Sequence, residues 1–160
     1  MKLRICAVGR MKAGAERELA EDYLKRARSL GKQVGITGIE VADAAETVHD
    51  QAHVRIARDA ETLAGLYPAG TPTVVLDGKG KTLSTEQFTE FLRHRLETGA
   101  SQLAFLIGGP DGHAAQTLQA AELVLSFGPM TWPHRLVRVM LAEQIYRTVT
   151  IMVNHPYHRS

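Results

Sequence analysis

Short apolar runs occupy residues 3–8, 73–77, 102–107 and 123–127, and a glycine follows each of them: Gly9, Gly78, Gly108 and Gly128. Runs this brief, rich in β-favouring residues and bounded by turn residues, read as strands buried on both faces of a parallel sheet. Between them the period changes to that of a helix. Leu19, Ala20, Tyr23, Leu24 and Ala27 share one face of a helix over residues 15–30, with Gly31 as its stop. Val34, Ile36, Ile39 and Val41 predict a second strand, weakened by Gly35 and Gly38. Val48, Ala52, Ile56, Ala60 and Leu63 predict a helix over residues 46–66, ended by Pro68 and Gly70. Ser84-Thr85-Glu86-Gln87 has the form of a capping box opening a helix that carries Phe88, Phe91, Leu92 and Leu96. Further helices are predicted from His113 and over residues 134–152. The alternation predicts an α/β fold, a mainly parallel sheet flanked by helices, in a single domain over residues 1–160.

Composition narrows the class. With 160 residues, 44% hydrophobic and 22% charged, the chain is long and apolar enough for one packed core. Its one cysteine, Cys6, excludes a disulfide scaffold. No run is long enough to span a bilayer and the start has no signal-peptide layout, so a cytoplasmic protein without a membrane partner is expected. The formal charge of +2 leaves no overall nucleic-acid footprint, and any basic surface must come from local clustering.

In an open α/β sheet ligands sit beyond the carboxyl ends of the strands, which places a small-molecule pocket in the loops after Leu76, Ile107 and Phe127. Asp77-Gly78-Lys79-Gly80-Lys81 reads as a turn. Gly108-Gly109-Pro110-Asp111-Gly112 is neither a dinucleotide fingerprint nor a P-loop, and Pro110 offers no amide to an anion. A triphosphate is disfavoured; an adenosine-type ligand held by backbone groups, with Phe127, Met130 and Trp132 as apolar walls, remains open. The last helix is apolar nearly all round, from Leu136 to Ile151, and so needs cover on several sides, which a two-fold copy could supply. Glu143 and Arg147 form a favourable i, i+4 pair within it. The tail gathers His155, Tyr157, His158 and Arg159. It reads either as a frayed end or as groups that stack on an unpaired base and pair with phosphate. The histidine spacing gives no metal site.

Three stretches carry a resemblance: Leu106-Ile107-Gly108-Gly109-Pro110-Asp111-Gly112; Thr131-Trp132-Pro133-His134-Arg135-Leu136-Val137-Arg138-Val139 with Ala142-Glu143-Gln144-Ile145-Tyr146-Arg147; and Asn154-His155-Pro156-Tyr157-His158-Arg159. With them the whole chain closely resembles the bacterial ribosomal RNA large subunit methyltransferase H family. The resemblance implies an S-adenosylmethionine-dependent enzyme of the SPOUT superfamily, a homodimer with a C-terminal trefoil knot. It implies methylation of N3 of a pseudouridine in helix 69 of 23S rRNA, on assembled ribosomes. It places cofactor contacts on Leu76, Gly108, Phe127, Gly128, Pro129, Met130, Thr131 and Trp132. Where the family often has Leu-Pro-His-Pro, this chain has Trp132-Pro133-His134-Arg135, which changes the cofactor wall and adds a charge beside it.

N3 carries a proton that must leave before its lone pair can attack, so the reaction asks for a base or for a positive environment. His155 and His158 are the candidate proton acceptors, Arg159 the candidate for stabilising phosphate or nascent anionic charge, and Tyr157 and Arg135 candidate substrate contacts. No metal or covalent nucleophile is needed. The competing expectation is a non-catalytic ribosome-binding or maturation factor that retains the fold.

Overall fold

The computed structural model describes residues 1–157. Five strands, β1 (Lys2–Val8), β2 (Gly38–Ala44), β3 (Thr73–Thr82), β4 (Gln102–Ile107) and β5 (Leu123–Ser126), form one sheet in the order β2-β1-β4-β3-β5. Every pairing is parallel, as the short apolar runs predict. The carboxyl ends of all five strands therefore lie along one edge.

The period of two in each strand sorts its side chains between two layers. Leu3, Ile5 and Ala7 of β1, with Leu103, Phe105 and Ile107 of β4, face α1 (Ala15–Gly31), α3 (Thr85–Glu97) and α5 (His134–Met152). Cys6, Val8, Ala104 and Leu106 face the opposite way, toward Leu63 of α2 (Ala52–Ala64) and Leu118 of α4 (Ala115–Ala120). Phe105 has no exposed surface, and burying a side chain of that size is worth roughly 1.5–3 kcal/mol. The expected capping box is present: Ser84 Oγ accepts from Gln87 N at 3.2 Å, and Gln87 Oε1 accepts from Ser84 N at 2.9 Å.

Three boundaries depart from the sequence pattern. Val34 belongs to a 3-10 turn at Lys32–Val34 and Ile36 is a buried plug outside the sheet, so β2 starts only at Gly38, where pairing with Lys2 begins. Helix α2 starts at Ala52, because the preceding residues are held in a loop: Asp59 Oδ1 accepts from Thr47 N at 3.1 Å, and Arg55 Nη1 donates to Asp50 O at 3.1 Å. The glycine-rich stretch after Asp77 does not end β3. Leu76 and Lys81 both pair with Leu125, so the intervening residues bulge out and the strand resumes on the same neighbour. A Cβ on Gly80 would lie 2.7 Å from the carbonyl of Val124, which is why the chain can rejoin there only as glycine.

Helix α5 finds much of its cover inside this one chain. Its Tyr146 ring packs 5.9 Å from Tyr23 of α1, Thr148 Oγ1 lies 3.2 Å from Thr89 Oγ1 of α3, and Gln144 Oε1 accepts from Thr85 Oγ1 at 3.0 Å. A partner is therefore not required to bury Leu141, Ala142, Ile145 and Val149. At its start, buried Arg138 donates to Asp43 Oδ2 at 3.0 Å and to Gly9 O at 2.6 Å, tying α5 to the carboxyl ends of β2 and β1.

Candidate active site

The loops that follow β3, β4 and β5 meet in one cleft of about 430 Å³ at the carboxyl edge. Leu76, Gly108, Phe127, Gly128, Pro129, Met130, Thr131 and Trp132 all line it, so all eight expected cofactor positions are brought together. Asp77, Lys79, His113, Ser126 and His134 add to its polar lining.

The loops hold one another in place. Ser126, buried at the end of β5, accepts the Gly128 amide on its Oγ at 3.1 Å, and the same oxygen lies 3.2 Å from Gly78 O in the β3 bulge. Gly128 has φ 110°, a region open to glycine, and this turns the chain toward Pro129. Asp77 Oδ1 accepts from Lys79 N at 2.8 Å and closes the bulge as an Asx turn. Across the cleft, Gly112 N donates to Gly109 O at 3.0 Å, and Asp111 takes a two-pronged ion pair from Arg55 at 2.7 and 2.8 Å. That guanidinium holds the Asp111 carboxyl below its ordinary range. Met130 and Trp132 are exposed apolar groups on the outer wall, the arrangement of a surface still open to a ligand.

The cradle suits a flat ligand read by backbone groups. Gly108 is buried, and a Cβ there would sit 3.0 Å from both Gly112 O and His113 Nε2, so the turn closes on it only as glycine. His113 was not singled out by its residue type or position. It is the half-buried residue after Gly112, and its Nε2 lies 3.1 Å from both Gly108 N and Leu76 O. Burial lowers its pKa from the ordinary imidazole value. The signal that could have found it is the tight turn itself, which returns the residue after Gly112 onto Gly108.

The tail is placed elsewhere. Asn154, with φ 54°, reverses the chain after α5, and Tyr157 folds back onto that helix. Its ring lies 4.7 Å from Tyr146 with the Arg147 guanidinium 5.1 Å over it, and its hydroxyl donates to Glu143 at 3.3 Å. Burial first, then a hydrogen bond with Tyr23, pushes the phenol up to about 12. Tyr157 is thus already stacked within its own chain. His155 is exposed and accepts from Tyr157 N at 3.1 Å. Neither residue lines the cleft, which takes Val137 from the first turn of α5. His155 N bonds to Thr150 O, thirteen residues further on, about 20 Å at 1.5 Å rise per residue. Arg135 is exposed, next to His134 at the cleft. His158 and Arg159 lie outside the described residues.

A second, larger groove of about 670 Å³ runs between α1 and the ends of β1 and β2, lined by Arg10, Arg17, Lys25, Arg28 and Arg138 against Glu21 and Asp43. Groove and cleft share no lining residue; Arg138 of the groove and Val137 of the cleft are successive residues of α5. Near-neutral net charge hid this clustering. Among the described residues no group of three or more His, Cys, Asp or Glu could hold a metal ion, and no helix is long and apolar enough to cross a membrane.

A glycine-walled cleft at the carboxyl edge of a parallel sheet is where open α/β folds place small-molecule ligands. Comparison with known proteins gives the family. A sequence family described as "Predicted SPOUT methyltransferase" matches residues 1–158. The chain is 42% identical over 160 residues, 100% of both chains, to the ribosomal RNA large subunit methyltransferase H of Xanthobacter autotrophicus (strain ATCC BAA-1158 / Py2). It is 43% identical over 159 residues, 99% of both chains, to the protein of that name from Cereibacter sphaeroides (strain ATCC 17023). Among solved structures, a probable methylase family protein from Haemophilus influenzae Rd KW20 aligns with a TM-score of 0.52 at 11% identity, over 95% of this chain and 66% of that one, a likeness of fold alone. The chain belongs to the SPOUT methyltransferase family, in the group of the ribosomal RNA large subunit methyltransferases H.

Proposed function

We propose that this protein is an S-adenosylmethionine-dependent methyltransferase that modifies N3 of a pseudouridine in helix 69 of 23S rRNA in the assembled ribosome. One observation carries the reading: the eight residues that the family resemblance assigns to the cofactor line a single cleft. Leu76 and Gly108 offer a carbonyl and an amide for the adenine, and Phe127, Met130 and Trp132 supply apolar walls. When bound, the cofactor supplies an activated methyl group on a sulfonium that departs as a neutral thioether. The chain's share is then to orient the base, exclude water and manage the N3 proton.

The groove lined by Arg10, Lys25 and Arg28 is the proposed path for RNA phosphates, since it gathers basic side chains around Arg138, the residue that follows Val137 of the cleft on α5. Arg135 stands where cleft and bulk RNA would meet. His155 and Tyr157 do not line the cleft of their own chain, and in this reading a second copy brings the tail to it. This supports a homodimer whose active site is shared, with His155, His158 and Arg159 delivered in trans. The trefoil threading expected of the family, a single working domain and action in the cytoplasm belong to the same proposal.

The test incubates the protein and methyl-labelled cofactor with unmodified ribosomes, free 23S rRNA and free pseudouridine, then maps the labelled base. Label at one pseudouridine of helix 69, in ribosomes alone, is expected; label elsewhere or none overturns the reading. Mixing a His155→Ala, His158→Ala chain with a Gly108→Ala chain should restore activity through hybrid dimers if the tail acts in trans.

A further inference from the structure

The pairing of β3 with β4 ends at Leu76 opposite Ile107, so the Leu76 carbonyl and the Gly108 amide converge on one point of the cleft. His113 Nε2 is at that point, 3.1 Å from each. One ring nitrogen carries either a hydrogen or a lone pair. As an acceptor it satisfies the Gly108 amide and turns a lone pair on the Leu76 oxygen; as a donor it satisfies Leu76 and opposes the Gly108 hydrogen. In neither tautomer are both backbone groups paired, and the cost of leaving a part-buried polar group unpaired stays in the ligand-free site. The contact is built in by the turn: Gly112, with φ 83°, and the 3.0 Å bond from Gly112 N to Gly109 O return the chain onto Gly108.

We propose that His113 is an internal placeholder in the adenine subsite, holding the Leu76 carbonyl and the Gly108 amide until a 6-aminopurine displaces it. The inference rests on the cofactor reading above. An aminopurine edge sets an exocyclic N–H beside a ring lone pair and satisfies the carbonyl and the amide together, which the single nitrogen of an imidazole does not. The ease of moving the ring fits its setting: burial lowers its pKa, so it is held as a neutral group rather than by a charge. Two consequences follow. The imidazole competes with the ligand, so affinity is reduced by the fraction of time the ring is in place. The subsite also selects against a 6-oxopurine, which would set an acceptor against the Leu76 oxygen.

The test uses S-adenosylhomocysteine and its inosine counterpart with the full chain. By calorimetry, His113→Ala is expected to bind S-adenosylhomocysteine about three- to tenfold more tightly than wild type, with the inosine counterpart at least tenfold weaker on both proteins. In wild-type protein labelled at histidine, the His113 Cε1–H resonance, assigned by its loss in the variant, should move toward the position of a solvated imidazole as ligand saturates. A resonance unmoved at saturation overturns the proposal, with His113→Gln providing the assignment where His113→Ala does not fold, and so does a folded His113→Ala that binds equally or more weakly. Failure of wild type to bind S-adenosylhomocysteine at all would instead overturn the cofactor reading on which the placeholder depends.

Discussion

A methyl group added at Gly109 should be tolerated only if the carboxylate beneath it is removed. The Cβ would stand 2.6 Å from Asp59 Oδ2 and 3.3 Å from Val8 Cγ1, where ordinary contact begins near 3.4 Å. Gly109 is not among the residues with positive φ, so the penalty is steric rather than conformational. Asp59 is 4% exposed and its other oxygen accepts from Thr47 N, so it cannot step aside without disturbing the loop before α2. Overpacking of this kind costs about 1–3 kcal/mol, and a weakened hydrogen bond about 1 more. Gly109→Ala should therefore lose about 2–4 kcal/mol. Asp59→Ala leaves the Thr47 amide unpaired and should lose about 1–2 kcal/mol, while opening the space the new methyl needs. The double variant should then be no less stable than Asp59→Ala alone, a favourable coupling of about 2 kcal/mol or more. Urea unfolding of the four proteins, read as midpoint and slope, measures the cycle. Single effects that add to within about 0.5 kcal/mol would refute the contact as the source of the loss.

Trp132 is the single tryptophan and lines the cleft, so its emission should shift as S-adenosylhomocysteine saturates; an unchanged spectrum alongside calorimetric binding would move the cofactor away from that wall. The folded-state pKa of His113 lies below the ordinary 6.5, so the unfolded chain takes up the proton first and stability is lost as pH falls through that value. His113→Gln should accordingly lose less stability than wild type between about pH 7 and pH 5, as chemical denaturation at each pH would measure. Cys6 is buried and its thiol pushed up to about 11, which predicts no alkylation by iodoacetamide at pH 8 in native protein and full alkylation in urea, followed by mass spectrometry.

Strand runs in the sequence translated directly into the sheet wherever both faces are covered, as for β1 and β4, because burial on both sides leaves a continuous apolar signature. The pattern failed where tertiary contacts override local period. Val34 and Ile36 fit a strand by residue type, yet pairing with Lys2 sets the start of β2 at Gly38. Val48 fits the helical spacing but stands almost fully exposed in a loop anchored from below by Asp59. Of the site, the glycines and strand ends were readable because they answer to backbone geometry. His113 and Asp59 were not, since their roles arise from a turn and from a helix that meet the same loop from opposite sides. The even apolar surface of α5 invited a partner where α1 and α3 already supply much of the cover.

The bulge in β3 has an evolutionary consequence. Because Leu76 and Lys81 address the same residue of β5, the segment between them is bypassed by the sheet's hydrogen bonding. Its length can change by insertion without shifting the register of a single strand, provided a glycine remains where the chain rejoins. A rim of the cleft can thus be rewritten while the scaffold below it stays constant, and chains of this group have there a place to diverge in what they recognise.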